Sequence, residues 1–158
     1  MNKRSKIVYL ILSVVFFIVL NRYFSLLILN DLRFKITENS LFDLILVQNT
    51  GAAFSILENS KMFLIIFSII AIFMILIYAF RNVEKFSTLA AFWLSMLISG
   101  IVCNLYERIT LGYVQDFFKL NFIDFPVFNI SDVFINIGVL ALIIIIVKNK
   151  YLKNENNN

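Results

Sequence analysis

Four stretches of this sequence are long and apolar enough to cross a membrane, and they constrain the fold more than any other feature. A spanning helix needs about 20 predominantly apolar residues. The four stretches cover approximately residues 7–29, 62–80, 87–106 and 132–147 of a 158-residue chain. Because only short connecting segments remain, we expect a single integral membrane domain over residues 1–158.

The composition agrees with this prediction. Apolar residues make up 61% of the chain and charged residues 15%, whereas a soluble domain is roughly 45 to 50% apolar. Lys3, Arg4 and Lys6 precede the first stretch as in a signal peptide, but no small-x-small cleavage site follows, so we expect a retained helix. The Asn-rich residues 153–158 are predicted to form a disordered tail.

The distribution of charge predicts the orientation in the membrane. Residues 1–6, 81–86 and 148–158 together hold eight Lys or Arg and two acids, whereas the longer segments 30–61 and 107–131 hold five basic and seven acidic residues. The positive-inside rule therefore places both termini in the cytoplasm and the two longer segments outside. The formal charge of +4 is explained by this topology, and no clustered basic surface suggests a nucleic-acid partner.

The two outward segments contain short runs that are typical of β-strands. Large or β-branched apolar residues are concentrated at 33–37 and 41–47, and residues 113–122 alternate imperfectly. We therefore predict an all-α membrane protein with four transmembrane helices. A small extracytoplasmic β-sheet, or cradle, is expected from the segments between helices 1 and 2 and between helices 3 and 4.

The residues that are missing exclude several kinds of chemistry. The chain has no His and a single cysteine, Cys103. A Ser-His-Asp triad, His-ligated haem, the usual zinc sites and an intrachain disulfide are therefore excluded. Any catalysis must use carboxylates, hydroxyls, amides, Lys or Arg, and we expect no metal and no cofactor.

Polar residues are concentrated at the outer ends of the third and fourth stretches. At helical spacing on one face of each helix they are Gly100, Asn104 and Arg108, followed by Asn129, Asp132 and Asn136. Asp116 lies in the segment between the two helices. Because a carboxylate at the membrane edge is costly unless it is paired, neutralised or functional, Asp116 and Asp132 are the candidate functional pair.

Two carboxylates in one partly dry site suit amide hydrolysis without His. Close together they do not both ionise easily, so the ionised member can deprotonate a water while the protonated member donates to the substrate carbonyl. Spacing alone leaves more ordinary roles open. Asp132 is also explained as a helix N-terminal cap, and Asp116 as a loop partner of Arg108.

Three short motifs are similar to those of a known family. Residues 49–55 are Asn-Thr-Gly-Ala-Ala-Phe-Ser, residues 112–117 are Gly-Tyr-Val-Gln-Asp-Phe, and residues 126–132 are Pro-Val-Phe-Asn-Ile-Ser-Asp. They resemble, in the same order, the Asn-x-Gly-Ala-Ala-Phe-Ser, Gly-x-Val-x-Asp-Phe and Pro-x-Phe-Asn-x-Ala-Asp motifs of the bacterial lipoprotein signal peptidases (signal peptidase II). The resemblance covers essentially the whole chain, with Ser131 as a departure from the third motif.

The resemblance implies an aspartic endopeptidase of the bacterial cytoplasmic (inner) membrane, active at its outer face. Its substrates would be prolipoproteins whose Cys carries a diacylglyceryl group, cut just before that Cys by a water that the dyad activates. The dyad would be Asp116 and Asp132. The residues implied to arrange the site or bind substrate are Asn49, Gly51, Asn104, Arg108 and Asn129. We expect a monomer surrounded by membrane lipid.

The sequence departs from the family's pattern on two helices. The family's Gly-Asn-x-x-Asp-Arg corresponds to residues 103–108, where Glu107 replaces the Asp. The family's Asp-Gln-x-x-Lys corresponds to residues 21–25, which are Asn-Arg-Tyr-Phe-Ser and lack the charged pair. We expect Arg108 to hold a carboxylate partner, with Glu107 and the dyad as candidates.

Two other interpretations remain open on the sequence. One is a Ser-Lys dyad of Ser55 and Lys61, although Lys61 precedes an apolar helix and is better explained as an interfacial anchor. The other is a non-catalytic four-helix membrane protein, either a peptidase-like paralogue that binds lipoproteins or a small transporter subunit. Intact Asp116 and Asp132 argue against the paralogue, whereas the altered first-helix motif favours it.

Overall fold

The structure is a computed structural model that describes residues 2–32, 41–51 and 60–155. Within these ranges the chain forms four α-helices, two β-strands and a 3₁₀ turn. In chain order they are α1 (Lys3–Leu32), β1 (Phe42–Asn49), α2 (Lys61–Asn82), the 3₁₀ turn (Val83–Lys85), α3 (Thr88–Thr110), β2 (Val114–Leu120) and α4 (Ile130–Glu155). All four helices are long and apolar enough to cross a membrane. The predicted fold class, a four-helix membrane protein with a small sheet between helices 1 and 2 and between 3 and 4, is confirmed.

Helix α3 is the centre of the bundle. It packs against each of the other three helices, and half of its apolar stretch is buried, against 11 to 17% in α1, α2 and α4. In the core, Leu94 and Ile98 of α3 pack with Leu10 of α1 and Ala79 of α2. The other helices present large apolar side chains outwards, which suits lipid as their solvent. Polar groups at one end of α3 are therefore placed against the rest of the protein.

Two glycines bring α3 and α4 into close contact. A Cβ atom added to Gly100 would lie 2.5 Å from the backbone oxygen of Ser131, and one added to Gly138 would lie 2.9 Å from Cβ of Leu97. Only a residue without a Cβ fits at either position. This close approach places the polar end of α3 directly against the beginning of α4.

The sheet lies at the opposite end of the bundle from the 3₁₀ turn, and we refer to this end as the sheet end. Strands β1 and β2 are antiparallel, with Asn49 opposite Val114 and an irregularity in the register between Leu44 and Val47. The backbone of Phe128 pairs with Phe118 of β2. This pairing ties the segment before α4 to the sheet and brings the first turn of α4 next to β2.

The predicted strands and tail have different outcomes. β1 and β2 lie where residues 41–47 and 113–122 predicted them, whereas the strand predicted at 33–37 lies outside the described residues. Residues 153–155 of the predicted tail continue the backbone of α4 in the described structure. Once a helix is established, each further residue adds a hydrogen bond at little cost, so a polar end can extend it. Residues 156–158 lie outside the described part of the chain.

Candidate active site

The first turn of α4 is held by a reciprocal cap. The Asn129 side-chain oxygen accepts the Asp132 backbone N–H at 3.0 Å, and Asp132 Oδ2 accepts the Asn129 backbone N–H at 3.1 Å. This arrangement has the geometry of a capping box, with Asn129 as N-cap and Asp132 three residues later. Asn129, and not Asp132, is therefore the N-cap of α4, and the reciprocal hydrogen bond from the Asn129 backbone fixes the orientation of the Asp132 carboxylate.

Asp116 is buried on β2 and held by two amides. Its carboxylate accepts the Asn49 side-chain N–H at 2.8 Å on Oδ2 and the Asn129 side-chain N–H at 2.7 Å on Oδ1. Its residue surface is only 1% exposed. Amides rather than Arg108 therefore hold this carboxylate in the described structure.

Asn129 links the two carboxylates, and Asn104 completes the link. The Asn129 side-chain nitrogen that binds Asp116 also lies 3.2 Å from Oδ1 of Asn104, and the Asn104 amide donates to Asp132 Oδ1 at 2.8 Å. Each of the four carboxylate oxygens thus accepts a hydrogen bond from an amide group. Two carboxylates that are 16 positions apart in the sequence are fixed in one network.

The dyad candidates line a pocket of about 650 Å³. Its polar side chains are Asn49, Asn104, Arg108, Asp116, Asp132 and Asn136. Most of its apolar lining, which we refer to as the apolar wall, is formed by residues 122–128. A site with a polar end and an apolar wall can orient a peptide bond while it accommodates apolar groups attached to it.

The surroundings of Asp116 raise the pKa of its carboxyl group into the neutral range. Burial raises the pKa of the Asp116 carboxyl to about 7. The nearby charges of Asp132 and Glu107 act in the same direction, whereas the hydrogen bonds from Asn49 and Asn129 stabilise the ionised form. The carboxyl group is therefore poised to take up or release a proton close to pH 7.

Arg108 reaches across the site to the turn after β1. Its Nη2 donates to the Gly51 carbonyl oxygen at 3.0 Å, and the Gly51 N–H donates to the Asn49 side-chain oxygen at 2.9 Å. Arg108 therefore supports the residue that holds Asp116. Its Nε is buried and has no hydrogen-bond partner among the residues that the structure describes.

Glu107, one of the candidate carboxylate partners of Arg108, pairs with a different residue. Glu107 forms an ion pair with Arg22 of α1, with Nη1 and Oε1 separated by 2.6 Å. Successive residues on a helix point about 100° apart and do not face each other. Glu107 therefore faces α1, while Arg108 faces the pocket.

The predicted site residues are thus brought together: all seven take part in the network or line the pocket. The apolar wall at 122–128 and the contacts of Arg22 were not predicted. A run of large apolar residues around Pro126, too short to span a membrane, was a signal for the wall.

No group of three or more metal-ligating side chains occurs in the described ranges. Ser55 of the alternative Ser-Lys pair lies outside them.

The four helices, each long and apolar enough to cross a membrane, and the two-stranded sheet support a site with two carboxylates, an arrangement that suits a membrane-embedded aspartic peptidase. The family model described as signal peptidase (SPase) II matches residues 9–148. This chain belongs to the signal peptidase II family. Membership favours the peptidase over the non-catalytic four-helix protein considered above.

Individual relatives agree with this assignment. The lipoprotein signal peptidase of Streptococcus thermophilus (strain CNRZ 1066) is 44% identical over 108 residues, which are 68% of this chain and 70% of that protein. The lipoprotein signal peptidase of Caldicellulosiruptor bescii is also 44% identical, over 68% of this chain and 69% of its own. A solved bacterial membrane enzyme, determined by the in meso method at 2.3 Å, superposes with a TM-score of 0.75 at 28% identity, covering 89% of this chain and 88% of its own.

Proposed function

We propose that this peptidase cuts diacylglyceryl-modified prolipoproteins just before the lipidated Cys, with Asp116 and Asp132 as its catalytic dyad. The observation that carries the proposal is the single side chain of Asn129, which binds Asp116 and caps the helix turn that holds Asp132. A residue that served only as a helix cap would not need the second contact.

The dyad activates water while sharing one proton. The ionised carboxylate takes a proton from the water, whose oxygen adds to the scissile carbonyl carbon, and the protonated carboxyl donates to the carbonyl oxygen. The gem-diol intermediate then collapses: the carboxyl that took the water proton passes it to the departing Cys nitrogen as the C–N bond breaks, and a hydroxyl proton of the gem-diol passes to the other carboxylate as the C=O bond re-forms. The pair returns to its singly protonated form, and the products are a free carboxylate and a free amine.

The surrounding residues orient the substrate and the dyad. The amides of Asn49, Asn104 and Asn129 hold the carboxylates, and the Arg108 guanidinium lines the pocket beside them. The apolar wall suits the acyl chains or apolar side chains next to the scissile bond. Its exposed members Phe122, Ile123 and Phe125 lie at the rim, where an acylated Cys leaves the membrane.

The charge distribution supports an active site at the outer face of the bacterial cytoplasmic membrane. The end opposite the sheet begins α1, contains the 3₁₀ turn and carries most of the Lys and Arg residues. At that end the Lys6 ammonium donates to the carbonyl oxygens of Glu84 and Phe86 at 2.7 and 2.8 Å. The positive-inside rule assigns this end and both termini to the cytoplasm. We propose that the protein acts as a monomer in contact with membrane lipid.

Cleavage by the purified protein in detergent or vesicles tests this proposal. A diacylglyceryl precursor should be cut before its Cys, and the same precursor without lipid should be cut far more slowly. Asp116→Asn and Asp132→Asn should be folded and inactive, because each removes one carboxyl from the proton cycle. Ser55→Ala should retain most of the activity.

The matched control is Asp43→Asn on β1, which keeps an oxygen for its Asn121 partner and should remain active. Equal rates on lipidated and unlipidated precursor would contradict the proposed substrate. Normal turnover by either dyad variant would remove that residue from the mechanism. Complete loss of chemistry in Ser55→Ala with substrate binding retained would restore the Ser-Lys interpretation.

A further inference from the structure

Two adjacent polar residues near the sheet end of α1, Asn21 and Arg22, contact the parts of the chain that carry Asp116 and Asp132. Asn21 is 1% exposed, and the Arg22 side chain is 28% exposed. Both are positions where this sequence departs from the family's first-helix motif. Neither residue lines the pocket, so neither is placed to touch substrate.

Arg22 reaches the neighbour of Asp116 through one intermediate. Its Nη1 lies 2.6 Å from Oε1 of Glu107, and the other carboxylate oxygen of Glu107 accepts the backbone N–H of Gln115 at 2.8 Å. The guanidinium also stacks over the ring of Tyr106, 5.3 Å from its centroid. Because Gln115 directly precedes Asp116, this chain of contacts fixes the start of β2 relative to α1.

Asn21 reaches the neighbour of Asp132 directly. Its amide donates to the Ser131 hydroxyl oxygen at 3.0 Å, and both residues are buried. Ser131 directly precedes Asp132 in the first turn of α4. The second carboxylate-bearing segment is therefore fixed to the same turn of α1 as the first.

The departures from the family's motifs thus occur in contacting pairs. Asn21 contacts Ser131, and Arg22 contacts Glu107; all four differ from the corresponding motif residues. Glu107 binds Arg22 with one carboxylate oxygen and the backbone of Gln115 with the other, and its additional methylene brings the carboxylate within reach of both. A shorter Asp at this position would have to give up either Arg22 or the backbone of Gln115.

We propose that Asn21 and Arg22 are positioning residues that hold the two carboxylates of the dyad at their working separation. The inference rests on the proposed dyad and deepens it. α1 contributes no group to the reaction, but it connects the segments that do. Loss of either contact lets one carboxylate-bearing segment shift relative to the other, and a shift on the order of 1 Å lowers the rate by up to about a hundredfold.

The test measures kcat and KM for the lipidated precursor together with thermal unfolding of each variant. Arg22→Gln should lower kcat by about tenfold or more and leave KM within about twofold of wild type, because substrate contacts are intact. Glu107→Gln and Glu107→Asp should do the same. Arg22→Lys keeps the charge and should recover part of the kcat. The matched control is Arg81→Gln at the far end of α2, which should behave as wild type.

A double-variant comparison shows whether the pair acts as a unit. Arg22→Gln combined with Glu107→Gln should lose no more than the more damaged single variant, because both remove the same contact. For the second contact, Asn21→Ala and Ser131→Ala should each lower kcat at nearly constant KM, and their effects should likewise not multiply.

The outcomes separate this inference from the proposed function. Wild-type kcat in Arg22→Gln, Glu107→Asp and Asn21→Ala, with Asp116→Asn inactive, would overturn the positioning role and leave the dyad intact. Lower thermal stability with unchanged kcat of the folded fraction would make these contacts purely structural and would also overturn it. Activity in Asp116→Asn would overturn the proposed dyad itself.

Discussion

Replacement of Gly100 by Ala should impair catalysis through a side chain that never meets substrate. The new Cβ would lie 2.5 Å from the Ser131 carbonyl oxygen, and ordinary contacts begin at 3.4 Å. One helix must therefore retreat by about 0.9 Å, since a close-packed interior offers no free space. The clashing atom belongs to the backbone of the α4 turn that also holds Asp132, so the retreat displaces that carboxylate.

The size of the effect follows from this displacement. Overpacking of this kind costs about 1–3 kcal/mol of stability. A misplacement on the order of 1 Å at a reacting group lowers the rate by about a hundredfold. We expect Gly100→Ala to remain folded at moderate temperature, with a lower unfolding temperature and a much lower kcat.

Gly138→Ala is the matched control for this prediction. Its Cβ would also be crowded, at 2.9 Å from Cβ of Leu97 and 3.0 Å from the Trp93 carbonyl oxygen, but it lies further along α4, away from the dyad. It should lower the unfolding temperature and leave kcat of the folded enzyme nearly unchanged. Wild-type kcat and stability in Gly100→Ala would refute the reasoning, as would an equal loss of kcat in both variants.

Three further predictions concern the charges of the site. Because burial raises the pKa of Asp116 to about 7, the proposed dyad should lose its shared proton as the pH rises beyond neutral, and kcat/KM should fall; a flat profile from pH 6 to 9 would contradict this. The folded state also binds this proton more tightly than the unfolded state, so the unfolding temperature should fall as the pH rises from 3.8 to about 7, and less so in Asp116→Asn. Arg108→Lys should lower kcat/KM because a compact ammonium does not reproduce the planar guanidinium fork that binds the Gly51 carbonyl while lining the pocket; full activity would reduce Arg108 to an interfacial anchor.

The sequence predicted those parts of the molecule that depend on local pattern. Spanning length identifies the helices, and the two carboxylates stood out because such groups are costly at a membrane edge. What it did not predict depends on partners that are distant in sequence. The pairing of Phe118 with Phe128 has no local signal, since any extended residue can form it. The orientation of the Glu107 side chain depends on its ion pair with Arg22 of α1. The helical spacing within α3 does not reveal such a partner.

The supports of the dyad carry no charge of their own. Three Asn side chains and one backbone N–H hold all four carboxylate oxygens, and none of these groups gains or loses a proton between acid and alkaline pH. The groups that bind the carboxylate oxygens directly therefore keep a constant charge while the proposed dyad changes its own. A change in rate with pH then does not arise from titration of these four hydrogen-bond donors.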